Sequence, residues 1–155
     1  MNATNLPSYA CDLTFDARAA AVYDALASPD GLRRWWWTDV EGGSGVGAVM
    51  RLNWAPAQYL DVRIDTLVPH AAVEWTCVGQ HDENLPRPDE WVGTRVSFRL
   101  EEPAAGRTRC SFVHHGLQPA LDCYGVCERG WDRFLRLSLR QLVETGRGLP
   151  LAPAA

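Results

Sequence analysis

The sequence contains no lysine, and its 15 basic residues are all arginine. A Schiff-base lysine and the phosphate-binding lysine of P-loop enzymes are therefore both excluded. No stretch approaches the run of about 18 apolar residues that a membrane-spanning helix needs. Residues 1–7 have neither the basic start nor the apolar centre of an export signal, so we expect a cytoplasmic protein.

Clusters of positive charge are also missing. The formal net charge is -4, and the arginines are interspersed with Asp and Glu. Binding to nucleic acid or to an anionic membrane surface depends on clustered positive charge, so we expect neither partner. The five cysteines have no framework spacing, which fits reduced thiols better than a disulfide scaffold.

The length of the chain limits it to one hydrophobic core. With 155 residues, 46% of them hydrophobic, there is no room for a second domain of the usual size of about 100 to 150 residues. We predict a single domain over residues 8–146, because Gly146, Gly148 and Pro150 form a stop signal. Residues 1–7 and 147–155 are predicted to be flexible termini.

Strand-like alternation dominates the first three quarters of the sequence. Residues 9–15 alternate apolar and polar side chains, which is the period of a half-buried strand. Further extended segments are predicted at 46–54, 59–68, 72–78, 91–100 and 107–115, each bounded by turn residues. Their apolar faces carry Leu60, Val62, Ile64; Val73, Trp75, Cys77; Val96, Phe98, Leu100; and Cys110, Phe112, His114. These segments predict an antiparallel meander with one apolar face that needs a cover.

Two short helices are predicted between the first strand and this meander. The first covers 17–26 with Asp16 as its N-cap, and the second holds Leu32, Trp35 and Trp36.

The cover for the meander is a long C-terminal helix over about 121–145. Its apolar stripe at i, i+3, i+4 spacing consists of Tyr124, Cys127, Trp131, Phe134, Leu135, Ser138 and Leu142. The sequence therefore predicts an α+β helix-grip fold. In it, a curved antiparallel β-sheet wraps around the long helix, two short helices follow the first strand, and an apolar cavity lies between sheet and helix.

Four local strings, in this order and spacing, resemble a known family. They are VYDAL (22–26) with PDGLRRWW (29–36), WVGTRVSF (91–98), TRCSFVHHGL (108–117), and Gly130-Trp131 with Phe134-Leu135 and Leu139. The sequence resembles the START-like (helix-grip, SRPBCC) superfamily, and within it bacterial proteins similar to the C-terminal domain of the activator of Hsp90 ATPase. The superfamily includes binders of lipids, hormones or polyketides, cyclases and aromatases, and one branch that stimulates a chaperone ATPase.

Aromatic residues are abundant, with seven Trp, four Tyr and four Phe. Aromatic side chains with few polar groups are typical of small-molecule sites. The leading hypothesis is the binding of a small, largely hydrophobic molecule between sheet and helix, although core packing is the alternative for Trp75, Trp131 and Phe134. The candidate lining is Trp75, Phe98, Phe112, His114, Tyr124, Trp131, Phe134 and Leu135.

Two groups of side chains could carry chemistry. His114 can act as an acid or base, but its place on an apolar strand face favours a hydrogen-bonded structural histidine, whereas His115 points to solvent. Cys123 and Cys127 could join a histidine in a zinc-like set, yet their spacing is more typical of buried thiols. The sequence indicates neither a metal nor a cofactor.

Other interpretations stay open. Segment 79–90 is either a lid or a solvated connection. A polyketide cyclase/aromatase-like enzyme could use His114, Tyr124 or an arginine to steer an enolate, but no catalytic motif is present, so catalysis is undecided.

The resemblance also implies a protein-interaction domain like the Hsp90 activator. The eukaryotic activator works through an additional N-terminal domain that 155 residues do not hold. We therefore expect a small molecule as the partner rather than a chaperone. A homodimer is a further option.

Overall fold

A computed structural model of the chain describes residues 8–153. Its strands form one curved antiparallel sheet in the spatial order β1-β7-β6-β5-β4-β3-β2, so the first strand pairs with the last. The strands are β1 (Tyr9–Phe15), β2 (Val40–Gly42), β3 (Val49–Ala55), β4 (Gln58–Val68), β5 (Ala72–His81), β6 (Arg95–Ala104) and β7 (Arg107–His115). The helices are α1 (Ala19–Leu26), α2 (Pro29–Arg33), α3 (Tyr124–Trp131), a π-helical segment (Asp132–Leu139) and α4 (Arg140–Thr145). The predicted helix-grip fold is confirmed.

The alternation in the strands assigns the faces of the sheet correctly. Every side chain placed on the apolar face of β4, β5, β6 and β7 is buried, from Leu60 and Ile64 to Phe112 and His114. Burial of one face fixes the register, because a shift by one residue would turn each apolar side chain toward solvent. The core therefore lies between this face and the last helix.

The last three helical segments form one continuous C-terminal helix of 22 residues. Its first residue is Tyr124, so the predicted start at 121 is three residues too early. The helix ends at Gly146, whose φ of 92° gives the left-handed cap that the stop signal predicts. Within the stripe, Ser138 is buried because its hydroxyl donates to the Trp35 carbonyl at 2.5 Å and accepts from the Leu149 N–H at 2.8 Å.

The start of α1 differs from the prediction. Its N-cap is Arg18, not Asp16, and the Arg18 side chain makes no capping hydrogen bond. The Ala19 N–H instead donates to the Glu102 carboxylate of β6 at 2.6 Å. This hydrogen bond lowers the pKa of Glu102 and lets a distant strand cap the helix.

The neighbouring helix α2 is shorter than predicted. Ser28 caps it by accepting the Gly31 N–H at 3.1 Å, and it ends at Arg33. Trp35 and Trp36 therefore follow the helix rather than lie within it, and both are buried.

Several strand assignments also differ from the prediction: β3 begins at Val49 rather than at 46, and β5 extends to His81 rather than to 78. The short β2 was not predicted, and β6 begins at Arg95 rather than at Trp91. Gly93 has a φ of 91°, a conformation that suits a turn and interrupts the predicted strand. Trp91 therefore lies in the connection between β5 and β6.

The backbone after the C-terminal helix returns to the segment that follows α2. Leu151 forms a parallel bridge with Trp37, accepts the Thr38 N–H at 2.8 Å and donates to the Trp36 carbonyl at 3.1 Å. The segment predicted to be a flexible terminus from 147 onward is thus hydrogen-bonded up to Leu151. The other predicted terminus, 1–7, lies outside the described residues.

Among residues 8–153, no helix combines the length and the apolar character needed to cross a membrane.

Close contact between α1 and α2 depends on Gly31. A Cβ atom at this position would lie 2.3 Å from the Asp24 carbonyl oxygen and 2.8 Å from that of Ala25. We expect Gly31→Ala to destabilise the protein by about 1–3 kcal/mol, as overpacking typically does. Denaturant unfolding measures this change. Gly125→Ala is the control, since Gly125 is exposed on the C-terminal helix and an added Cβ would meet only a flexible arginine side chain. Equal stability of the two variants would contradict the prediction.

Candidate ligand site

A continuous group of aromatic rings joins the sheet to the C-terminal helix. Trp36 stacks on Trp75 with ring centroids 5.6 Å apart and lies 5.1 Å from Trp131. Trp131 in turn contacts Phe112 at 4.7 Å and stacks on Trp91 at 5.8 Å. Because rings of this size have few rotamers when packed together, they form a stiff wall.

A cavity of about 170 Å³ lies against this wall. Strands β3, β4 and β5, the connection after β5 and the C-terminal helix all contribute to it. Its lining is Trp36, Trp54, Leu60, Gln80, Asp82, Leu85, Trp91, Val126, Cys127, Gly130, Trp131 and Phe134. The polar members are few, so the cavity offers mainly aromatic and aliphatic surface.

The structure brings only part of the predicted lining to the cavity. Trp131 and Phe134 line it, whereas Tyr124 is half-buried at the start of the helix and does not. The other predicted residues do not line the cavity, and their side chains are buried in the packed core: Trp75, Phe98, Phe112, His114 and Leu135. A ligand-binding role for these residues stays a prediction.

His114 lies in a chain of hydrogen bonds that runs from the Trp131 indole to the Trp91 carbonyl. Its Nδ1 accepts the Trp131 indole N–H at 3.0 Å, so the proton of the neutral ring belongs on Nε2. That Nε2–H donates to the Thr94 hydroxyl at 2.8 Å, and the hydroxyl donates to the Trp91 carbonyl at 2.6 Å. Both ring nitrogens have hydrogen-bond partners. This arrangement is typical of the structural histidine that the sequence favoured.

Burial also lowers the pKa values of the two histidines. It lowers the pKa of His114 from 6.5 to about 3, with a smaller contribution from His115. His115 is half-buried and contacts the Ser97 hydroxyl at 3.0 Å, so it is less solvated than predicted, and burial lowers its pKa as well. Neutral His114 has no proton to exchange near pH 7 without breaking its hydrogen bonds.

The connection between β5 and β6 forms one side of the cavity. Asp82 and Leu85 line it from this segment, and Trp91 closes its end. The Gln80 side chain accepts the Trp91 N–H at 2.9 Å, while Asp82 accepts the Asn84 N–H at 2.9 Å. Segment 79–90 therefore contacts the cavity, and a purely solvated connection, one of its two interpretations, does not describe it.

Cys123, the N-cap of the C-terminal helix, and Cys127 within the helix are both buried, and Cys127 lines the cavity. The Trp91 indole N–H donates to the Cys127 sulphur at 3.2 Å, and the Cys123 N–H donates to the Glu90 carboxylate at 3.1 Å. His114 is bonded to Trp131 instead of facing a thiol. Among residues 8–153, no three His, Cys, Asp or Glu side chains are grouped so that they could hold a metal ion.

Several lining residues had no signal in the sequence. Trp36, Trp54 and Trp91 lie at or beyond the ends of regular elements, where periodicity carries no information about the direction of a side chain. The unusual number of tryptophans was the only available indication. Three of the seven tryptophans line the cavity although the sequence did not identify them as candidate lining residues.

The fold and the cavity define a START-like helix-grip protein. Residues 16–144 match the family described as Activator of Hsp90 ATPase homolog 1-like protein, and the chain belongs to this family. The resemblance noted in the sequence is thereby confirmed. None of the curated proteins matches the chain by sequence.

Solved structures with a similar fold include three bacterial proteins. The Aha1 dimer from Colwellia psychrerythraea is 28% identical with a TM-score of 0.77, over 92% of this chain and 100% of that one. Protein MLL2253 from Mesorhizobium loti is 20% identical with a TM-score of 0.71, over 88% and 96%. CalU16 from Micromonospora echinospora is 19% identical with a TM-score of 0.61, over 82% and 70%.

The lowered pKa of His114 predicts a pH-dependent contribution to stability. The unfolded chain binds a proton at this residue below pH 6.5, whereas the folded chain does so only near pH 3. The stability contributed by neutral His114 is therefore fully present above pH 6.5 and is lost as the pH falls, by about 1.4 kcal/mol per pH unit. The free energy of unfolding of His114→Gln should fall less steeply than that of the parent between pH 6 and 4. Identical slopes would contradict a buried neutral histidine.

Proposed function

We propose that the chain binds a small, largely apolar molecule, about the size of one aromatic ring, in the cavity between the sheet and the C-terminal helix. The observation that carries this proposal is the aromatic lining of the cavity, which has Gln80 and Asp82 as its polar side chains. Contact with several rings removes apolar ligand surface from water, at about 25 cal/mol for each Å² buried.

The volume of the cavity limits the size of the ligand. An engineered apolar cavity of about 150 Å³ binds benzene, whereas drug-sized ligands occupy about 300–1,000 Å³. At about 170 Å³ the cavity belongs with the first group. Sterols, long acyl chains and polyketides are too large unless Leu85 or Trp91 moves away, so the proposal favours single-ring molecules.

Support for binding rather than catalysis comes from the groups around the cavity. A cyclase-like mechanism would need a side chain that exchanges a proton or stabilises an enolate. His114 has both nitrogens in hydrogen bonds and a pKa lowered to about 3, and Tyr124 does not line the cavity. Neither residue meets this requirement.

Family membership favours a second candidate, engagement of an Hsp90-type chaperone ATPase through the outer surface. The similarity to the Colwellia Aha1 dimer extends over the full length of that chain and also supports a homodimer as the assembled form. Stimulation of chaperone ATPase turnover by the purified protein tests chaperone engagement. Light scattering during gel filtration tests for the homodimer. Neither depends on an occupied cavity.

Filling the cavity from the helix gives the sharpest test of ligand binding. Gly130 lines the cavity, and a Cβ added there meets no atom within 4 Å. Gly130→Leu should therefore block the cavity without overpacking the core, and it removes a helical glycine that disfavours the helix by about 1 kcal/mol.

The measurement is titration with toluene, followed through the indole N–H resonances of the tryptophans by NMR. We expect saturable shifts at Trp91 and Trp131 in the parent, at least about tenfold weaker affinity in Gly130→Leu, and unchanged affinity in Gly125→Leu, whose site is exposed on the same helix. Saturation by palmitate but not by toluene would refute the size argument. Equal affinity in all three proteins would refute the location.

A further inference from the structure

Two cysteines lie one turn apart beside the cavity: Cys123 is the N-cap of the C-terminal helix, and Cys127 lies at the end of its first turn. The Cys127 N–H donates to the Cys123 carbonyl at 2.9 Å, so both residues belong to the same turn. Cys127 lines the cavity, whereas Cys123 is fully buried behind it. A small molecule in the cavity can therefore reach Cys127 but not Cys123.

The surroundings of the Cys127 sulphur favour a thiolate. The Trp91 indole N–H donates to it at 3.2 Å, and the thiol of Cys123, one helical turn earlier, is a second donor near it. These donors, with that of Cys123 first, lower the pKa of Cys127, although burial and the carboxylates of Glu90 and Asp82 oppose the change. Donors and the first turn of a helix both stabilise a thiolate, and the thiolate is the nucleophilic form of cysteine.

The other four cysteines lack this combination. Burial raises the pKa values of Cys77 and Cys110 to about 12, and it also raises that of Cys11, the most exposed of the five. The pKa of Cys123 is raised because its thiol donates to Cys127. A stabilised thiolate and contact with a cavity coincide at Cys127 alone among the five.

We propose that Cys127 is a nucleophile that adds covalently to small α,β-unsaturated carbonyl compounds entering the cavity. The sulphur forms a bond to the β-carbon while the electron pair of the carbon–carbon double bond moves to give an enolate. The enolate takes one proton at the α-carbon, which balances the proton that the thiol has lost. No oxidant, reductant or leaving group is involved. This proposal rests on the entry of small molecules into the cavity, and hence on the function proposed above.

The test is alkylation of the folded protein with one equivalent of N-ethylmaleimide at pH 7, analysed by intact mass and peptide mapping. We expect a single early adduct at Cys127, ahead of the more exposed Cys11. In Cys127→Ser the early adduct should disappear, and in the matched control Cys11→Ser it should remain. First labelling at Cys11, or labelling of Cys127 only after denaturation, would refute the proposal.

Competition separates this proposal from ligand binding. Toluene should slow the labelling of Cys127 and leave that of Cys11 unchanged. If toluene binds but Cys127 does not react, the covalent step is wrong and the binding function stands. If Cys127 reacts and toluene neither binds nor competes, the reactive thiol stands and the proposed single-ring ligand is wrong.

Trp91 is proposed as a positioning residue for the thiolate. Trp91→Phe keeps a ring in the wall but removes the N–H donor, so the pH midpoint of Cys127 labelling should rise. A rise of about one unit leaves roughly tenfold less thiolate at pH 7, and the greater nucleophilicity of the more basic sulphur reduces the net slowing to roughly threefold. Trp37→Phe is the control, because the Trp37 indole donates to the Asn53 carbonyl outside the cavity. An unchanged midpoint in Trp91→Phe would remove Trp91 from this role.

Discussion

The hydrogen bond between the Trp131 indole and His114 holds the helix against the sheet. It joins the middle of the C-terminal helix to β7 at 3.0 Å, and both partners are buried. A buried hydrogen bond of this kind fixes the rotation of the helix, because any other rotation leaves a donor and an acceptor without partners. With the helix so placed, Trp131 packs between Trp36 and Phe112, and its ring becomes the wall of the cavity.

Most of the fold follows from local patterns in the sequence. Alternation in β4 to β7 and the stripe on the C-terminal helix each identify a buried face, and burial of that face is what determines the fold. The predicted boundaries are wrong where contacts between residues far apart in the sequence determine the structure. Glu102 caps α1 from a strand 83 residues away, and Leu151 pairs with Trp37, so neither contact leaves a local pattern. The segment that begins at Trp91 has the composition of a strand, yet the positive φ of Gly93 turns the backbone there.

The site is less predictable than the fold, for a physical reason. Alternation correctly indicated that His114 is buried, but its partner Trp131 could not be read from spacing. A cavity exists where packed elements diverge, and the sequence does not encode this separation. Phe98 and Phe112 therefore share the periodicity expected of lining residues but fill the core, whereas Trp54 and Leu85 line the cavity from the end of a strand and from a connection.

Trp91 couples the shape of the cavity to the state of its thiol. Its backbone is held by Gln80 and Thr94, its ring stacks on Trp131, and its N–H donates to Cys127. A molecule larger than one ring has to displace this side chain, and displacement removes one of the donors that stabilise the Cys127 thiolate. A small occupant leaves the donor in place. The same tryptophan therefore limits the size of the ligand and contributes to the reactivity of the sulphur, so ligand size and thiol reactivity are linked in this cavity.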